Sequence, residues 1–319
     1  MAERLLALQA QDLRGVRLAF RPRGRGLTAA DVDRALTEDR SLVVSWLNRG
    51  TLHMVRSEDL PWLRALTGPR QRTTALKRLA DDGLSPDDVE RGAACVAAAL
   101  AEEGPLVRAE LADRLAAAGV RAGGQAAYHL LWLVCLRGEA VRGPVRGREQ
   151  AYVLTRDWLG PGADAPVDRD TALAELARRY LAGHGPAGPR DLARWAGIGL
   201  RDARAGFGAI AAQLVSAGED LVDLAGRPPV EDLPPPRLLG PFDPLLHGWA
   251  GREDVVGEHR GIITVNGIFR AFALAGGRAV ATWTMPAGRV QLAPLEPIAP
   301  ADAAALEEDA ADVARFLGR

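Results

Sequence analysis

The sequence predicts an α+β protein, mainly α: three tandem winged-helix units followed by a small C-terminal antiparallel β-sheet or barrel. Three observations carry this. A helical segment, a Gly-Pro break and a short second helix are written twice, around Gly104-Pro105 and Gly185-Pro186. Beyond a proline-rich stretch from Pro228 to Pro236, the apolar period changes from helical to alternating. The 319 residues also exceed what one hydrophobic core usually organises, so several domains are expected.

The elements follow in chain order. Thr28 is placed to cap a helix running to Leu36, Ser41 opens another, and Thr51 to Val55 reads as a strand, giving a first, divergent unit over 1–82. The first clear copy runs from Cys95–Leu100 through Gly104-Pro105 to Leu111-Ala112. An apolar helix at Ala126–Leu136 follows, then Glu139–Val141 and Gln150–Leu154 as a two-stranded wing about Gly143-Pro144, closing a unit over 83–165. The second copy, Leu173–Leu181 into Gly185-Pro186 and Leu192-Ala193, ends with a helix near Phe207–Val215 and a strand at Leu221–Leu224, a unit over 166–226. In 227–319 the strands are Gly261–Val265, Ile268–Leu274, Ala279–Trp283 and Arg289–Leu292, and Ala301–Phe316 is a closing helix.

Composition excludes several classes. No apolar run reaches the roughly 18 residues of a bilayer span, and the Met-Ala-Glu-Arg start has no cleavable apolar core, so a cytoplasmic protein without membrane contact is expected. Cys95 and Cys135 sit in apolar surroundings and read as small buried hydrophobes. His53, His129, His184, His247 and His259 offer no pair at metal-ligand spacing, so neither a metal nor another cofactor is expected. The net charge of −1 is low for a nucleic-acid binder, yet Arg14, Arg17, Arg21, Arg23 and Arg25 lie in a stretch without acids, while Glu307, Glu308, Asp309 and Asp312 gather at the far end. That separation predicts a polar molecule with one basic face. Lys77 is the only lysine, which leaves little amine for Schiff-base chemistry.

Two short segments carry the functional signal: Leu8-Gln9-Ala10-Gln11, and Arg49-Gly50-Thr51-Leu52-His53 some forty residues later. With the repeated helical units and the late block Phe242-Asp243-Pro244-Leu245-Leu246-His247-Gly248, they resemble the AlkZ-like family of bacterial DNA glycosylases over nearly the whole chain. The resemblance implies excision of bulky or crosslinked N7-alkylated guanine from duplex DNA, as repair or as self-resistance to alkylating natural products. It makes Gln9 and Gln11 the catalytic pair that holds a water against the anomeric carbon. A sister branch has an acid at the second position, so Gln11 points to the AlkZ-like branch.

The implied chemistry is physically sensible, because alkylation at N7 makes the base a cationic leaving group and little proton transfer is needed. Residues two apart converge on extended chain but diverge on a helix, so a helix must end near Gln9, and Leu13-Arg14-Gly15 offers such an ending. His53 and Arg49 border the expected cleft, and Arg142, Arg146 and Arg148 on the wing turn are candidate phosphate contacts. Asp243 and Arg252 are expected to make structural hydrogen bonds. Family members carry a further helix before the Gln-x-Gln segment, where only eight residues stand here. The expected enzyme is a monofunctional, monomeric, nucleoid-associated glycosylase. A non-catalytic winged-helix regulator and a scaffold without DNA affinity are the other classes the residues admit.

Overall fold

Leu42–Leu47, read Leu-Val-Val-Ser-Trp-Leu, is buried along its whole length and forms the middle strand of the largest sheet. This corrects the helix expected to open at Ser41: a short β-branched and aromatic run covered on both faces packs as a central strand. The structure is a computed structural model that describes all residues except 148, 165, 229–231, 260 and 265, and only the backbone of 163 and 164. Arg148, one of the candidate phosphate contacts, therefore lies outside the described residues.

The chain opens with one turn of helix, α1 (Ala2–Leu5), and a two-residue strand, β1 (Leu8–Gln9). Asp12 then caps α2 (Leu13–Leu18) by accepting from the Gly15 N–H at 2.9 Å. Leu13-Arg14-Gly15 thus begins a helix; the one that had to end before Gln9 is α1. Thr28 and Asp31 form a capping box at α3 (Ala29–Thr37). After β2 (Leu42–Leu47) and β3 (Thr51–Arg56) comes the long α4 (Leu60–Asp81).

The two Gly-Pro segments build alike. The first runs α5 (Pro86–Glu103), α6 (Arg108–Ala117), α7 (Gln125–Arg137) and the hairpin β4 (Ala140–Arg146) with β5 (Glu149–Leu154), then a short α8 (Thr155–Leu159). The second runs α9 (Arg169–His184), α10 (Pro189–Ala196), α11 (Leu200–Ala209) and the hairpin β6 (Leu214–Gly218) with β7 (Leu221–Leu224). In both, the residue after Gly-Pro bridges to its hairpin, Leu106 to Tyr152 and Ala187 to Val222. The helix expected over Phe207–Val215 ends at Ala209, because Leu214 and Val215 pair with β7 and supply the backbone partners that strand needs.

The last part contributes β8 (Arg237–Leu239), α12 (Glu253–Val256), β9 (Phe272–Ala275), β10 (Arg278–Thr284), β11 (Gln291–Pro294) and α13 (Pro300–Phe316). Its sheet, ordered β11-β10-β9-β8, has two edges and is not closed as a barrel. Gly261–Val265 forms no described strand; Ile263 makes one bridge to Phe269, and Val265 lies outside the described residues. The edge position falls instead to β8, just after the prolines.

The five-stranded sheet has the order β1-β3-β2-β4-β5, and its β2–β4 neighbours meet at Val44 and Arg142. One continuous sheet therefore crosses the boundary expected at 82/83. Alternation assigns its two faces: Leu8, Val44, Trp46, Met54 and Tyr152 join the core with α5, α6, α7 and α13, whereas Ala7, Val43, Leu47, Val55 and Val153 join the core with α9, α10 and α11.

The basic N-terminal run and the acidic C-terminal end meet in space. Arg21 pairs with Asp309 at 2.7 Å and Asp312 at 2.9 Å, Arg23 with Asp243 at 2.6 Å, and Arg17 with Asp33 at 2.6 Å. Three of the five arginines of the expected basic face are thus neutralised by carboxylates that folding brings to them, while Arg14 donates to the Met285 sulfur and Arg25 is exposed. Arg21 and Asp309 are buried, with side chains 2% and 4% exposed, and Arg21 also donates to the Leu238 carbonyl while Asp309 accepts from the Leu238 N–H. Arg21→Ala is expected to cost about 3–5 kcal/mol by leaving Asp309 buried without its partner. Urea unfolding checks this, and adding Asp309→Ala should recover part of the loss.

Candidate active site and its cationic rim

β1 is short, and its register decides the site. Gln9 lies opposite His53, and His53 lies opposite Ser45 on the next strand, so three polar side chains share one row and one face of the sheet. It is the face turned toward α9 to α11. Gln9 ends the extended strand β1, and Gln11 stands two residues on, exposed and in a bend. Their amides differ in attachment. Gln11 accepts the Leu52 N–H on its Oε1 at 3.2 Å, next to the Ala10 N–H that donates to the Leu52 carbonyl at 2.7 Å. Its Nε2 is left as an outward donor. The Gln9 amide has no hydrogen-bond partner among the described residues.

His53 is 2% exposed, and its Nδ1 lies 2.9 Å from the Thr51 carbonyl. Nδ1 therefore carries the proton and Nε2 is the acceptor. Burial, with the nearby Arg49 charge, pushes its pKa down to about 3, so the imidazole is neutral.

Arg49 is presented by the β2–β3 turn, where Asn48 and Gly50 hold φ of 48° and 80°. A Cβ at Gly50 would meet the Gln71 amide oxygen at 2.6 Å, and Gln71 donates to the Asn48 carbonyl at 2.9 Å. Nη1 of Arg49 donates to the carbonyls of Arg194 and Trp195 at the end of α10. Burial, then the charges of Arg252 and Arg194, lower the Arg49 pKa to about 10.

The block 241–252 packs against α9 and α10. Asp243, fully buried, receives two hydrogen bonds from Arg23 and accepts from the Leu245 N–H. Tyr180 donates to the Gly248 carbonyl at 2.6 Å, and Trp249 Nε1 donates to the Pro186 carbonyl at 3.1 Å. A Cβ on Gly248 would stand 2.5 Å from the His184 ring, so only glycine permits this approach. Inside the block His247 packs against Phe269, ring centres 4.1 Å apart, and stacks on Phe242, whose φ is 57°. Burial, and then Arg49, His53 and Arg252, lower the His247 pKa to about 3. Arg252 donates from Nε to the Leu246 carbonyl at 2.6 Å and covers the Phe269 ring.

Gln9, Gln11, Arg49 and His53 are thus brought together. The wing arginines are elsewhere. Arg142 is not on the turn but within β4, with its guanidinium over the Tyr152 and Trp46 rings at 4.5 and 5.6 Å. Arg146 is nearer the tip and pairs with Glu110 at 2.8 Å. Sequence reasoning missed Arg194 and His247 and gave Arg252 only a structural role. Arg194 is an exposed residue of an amphipathic helix, and nothing in its local pattern marks it. Among the described residues no group of three His, Cys, Asp or Glu is arranged to hold a metal ion, and no helix is long and apolar enough to cross a membrane.

Neutral amides and imidazoles inside a rim of guanidiniums suit a polyanionic substrate and a reaction that moves few protons. The sequence profile of the DNA glycosylase AlkZ-like family matches residues 2–316, and the chain belongs to that family. An interstrand DNA cross-link repair glycosylase of Streptomyces sahachiroi is 28% identical over 343 residues, covering 99% of this chain and 89% of the relative. The solved structure of the Streptomyces sahachiroi DNA glycosylase AlkZ has the same fold, with a TM-score of 0.79 at 24% identity over 99% of this chain and 90% of that one.

The buried histidines set a pH dependence. His53 and His247 at about 3 and His184 at about 4 stay neutral in the fold, whereas in the unfolded chain they bind protons below about 6.5. The unfolded state then binds more protons, so stability is lost as pH falls from about 6.5 toward 4. Urea midpoints measured from pH 7.5 to 4.5 should fall by a slope approaching three protons, and a level profile would contradict the assignment.

Proposed function

We propose that this protein hydrolyses the N-glycosidic bond of N7-alkylated guanine in duplex DNA, bulky and crosslinked adducts included, as a monofunctional and monomeric enzyme working at the nucleoid. The role is repair or self-resistance to alkylating natural products. The observation that carries the reading is the unequal anchoring of the glutamine pair. Gln11, held by the Leu52 N–H, offers Nε2 to the oxygen of a water, and the free Gln9 oxygen accepts a hydrogen bond from it; as the water oxygen bonds to the anomeric carbon and the glycosidic electron pair leaves with the base, the surplus proton passes to solvent. Neither amide need ionise. The cationic base departs as a neutral one, and positive charge builds on the sugar, where the two amide dipoles and the fixed water lower the barrier. The cross-link in the relative's name extends the substrate to bulky adducts.

The scaffold reading that goes with it is three winged-helix units over 1–82, 83–165 and 166–226, with 227–319 as a fourth part. The matched bridges at Leu106 and Ala187 support it, since in each unit the residue after Gly-Pro pairs beside the hairpin at one position. Arg49 and His53 then border the flipped or exposed nucleotide, and the β4–β5 tip with Arg146 is a second contact to the backbone. Arg142 serves the aromatic stack beneath that tip.

Gln9→Ala and Gln11→Ala are each expected to lower single-turnover release of N7-methylguanine, and of a bulkier N7 adduct, by roughly 10²-fold or more, while circular dichroism stays unchanged. The product should be an abasic site with no strand break until alkali is added. Lys77, the sole lysine, is exposed on α4; nicking that vanished in Lys77→Ala would refute the monofunctional assignment. Tight, sequence-specific duplex binding without base release would establish a regulator instead.

A further inference from the structure

Arg49, Arg194 and Arg252 are mutually repelling cations at one edge of the site. Elsewhere such arginines are matched: the buried Arg21 by Asp309 and Arg179 by Asp59, and the half-buried Arg23 by Asp243. The three at the site have no ion pair among the described residues. Arg49 feels only other arginines, and the one acid opposing the repulsion on Arg252 is the adjacent Glu253. Like charges held together in a partly buried place are costly unless something neutralises them.

Their hydrogen-bonding capacity is also unspent. Arg49 uses Nη1, and Arg252 uses Nε, both on backbone carbonyls. The remaining nitrogens of these two residues are not among the buried unpartnered atoms, so they are open to solvent, and Arg194 is exposed. His247 adds a second sign of incompleteness: its Nε2 is buried without a partner. The carbonyl bonds at the end of α10 and at Leu246 fix two of the forks in place, which lessens the ordering needed on binding.

We propose that Arg49, Arg194 and Arg252 form a single seat for a DNA backbone phosphate next to the nucleotide that Gln9 and Gln11 attack. This rests on the glycosylase reading of the same site and adds two residues to it. Guanidinium forks match phosphate oxygens two at a time. The seat also resolves a conflict in the chemistry. Three uncompensated cations oppose a cation-like sugar close by; with a phosphate seated, the local charge is reduced and the reaction can proceed. Undamaged backbone thereby switches the electrostatics of the cleft, and the free protein is poorly set for the reaction until DNA is bound.

The test is a cycle between protein charge and single phosphates. Duplexes carrying a stable abasic analogue, with one flanking phosphate at a time neutralised as methylphosphonate, are titrated with wild type, Arg194→Ala, Arg252→Ala and Arg252→Lys at several salt concentrations. The seat holds one phosphate, worth about 0.9 in salt slope in total; each alanine variant should remove a part of that and weaken binding several-fold, and Arg252→Lys should keep the slope. At one phosphate the losses from methylphosphonate and from alanine should not add. Additive losses at every phosphate, or an unchanged slope in both alanine variants, would overturn the seat. Because Arg194 is exposed and its side chain makes no hydrogen bond among the described residues, its variant tests the idea without risk to the fold. Base release is scored separately: coupling without release would keep the seat and end the glycosylase reading, and release without coupling would do the reverse.

Discussion

Everything in the site hangs on the pairing of β1 with β3. That strand is only two residues long, yet Leu8 opposite Met54 and Gln9 opposite His53 decide which face the first glutamine takes, and a slip of one residue would turn it into the other core. So short a strand cannot hold itself. Leu6, Ala7 and Leu8 are sunk into the two cores on either side of the sheet, and Arg179 reaches from α9 to the Glu3 carbonyl while pairing with Asp59 at 2.8 Å. The extended glutamine segment is a strand end clamped from both faces. That clamp supplies the rigidity that the proposed water-holding pair requires.

Arginine does two different jobs in this molecule, and acids separate them. Where carboxylates accompany it, as at Asp309 or Asp243, it is a fastener between distant parts of the chain. Where they are missing, as around Arg49, it is a surface prepared for an anion. The block 241–252 uses both: Arg23 fixes its start through Asp243, and Arg252 at its end has no ion pair among the described residues. Two neutral histidines line the space between. Their burial removes the one ordinary side-chain titration near physiological pH, so the charge at the site is set by the guanidiniums and by Glu253 beside Arg252.

Local patterns told much of this. Capping residues, the Gly-Pro repeat and the closing helix are visible because they follow from short-range rules, and Gln9, Gln11, Arg49 and His53 are near one another because sequence motifs marked both strands of one pairing. What stayed hidden is non-local. Leu42–Leu47 looks like the continuation of a helical region until its burial on two sides is known. The basic N-terminal run reads as a free face until Asp309 and Asp312 are seen against it. Arg142 reads as a loop arginine, but a bulge between Arg142 and Val145 keeps it in the strand, over aromatic rings. Arg194, on a polar helix surface, could be recognised only by what it stands beside.

The fastening of Arg21 to Asp309 has a consequence for how the protein is made. A ribosome releases the N-terminus first, but this N-terminal segment cannot settle until α9 and then α13 have been synthesised, since Arg179, Asp243 and Asp309 are its partners. Such contacts span most of the chain, and long-range closure is slow and comes late in folding. The glutamine strand can meet β3 early, but the contacts that clamp it from α9 are completed only when the chain beyond residue 179 has emerged.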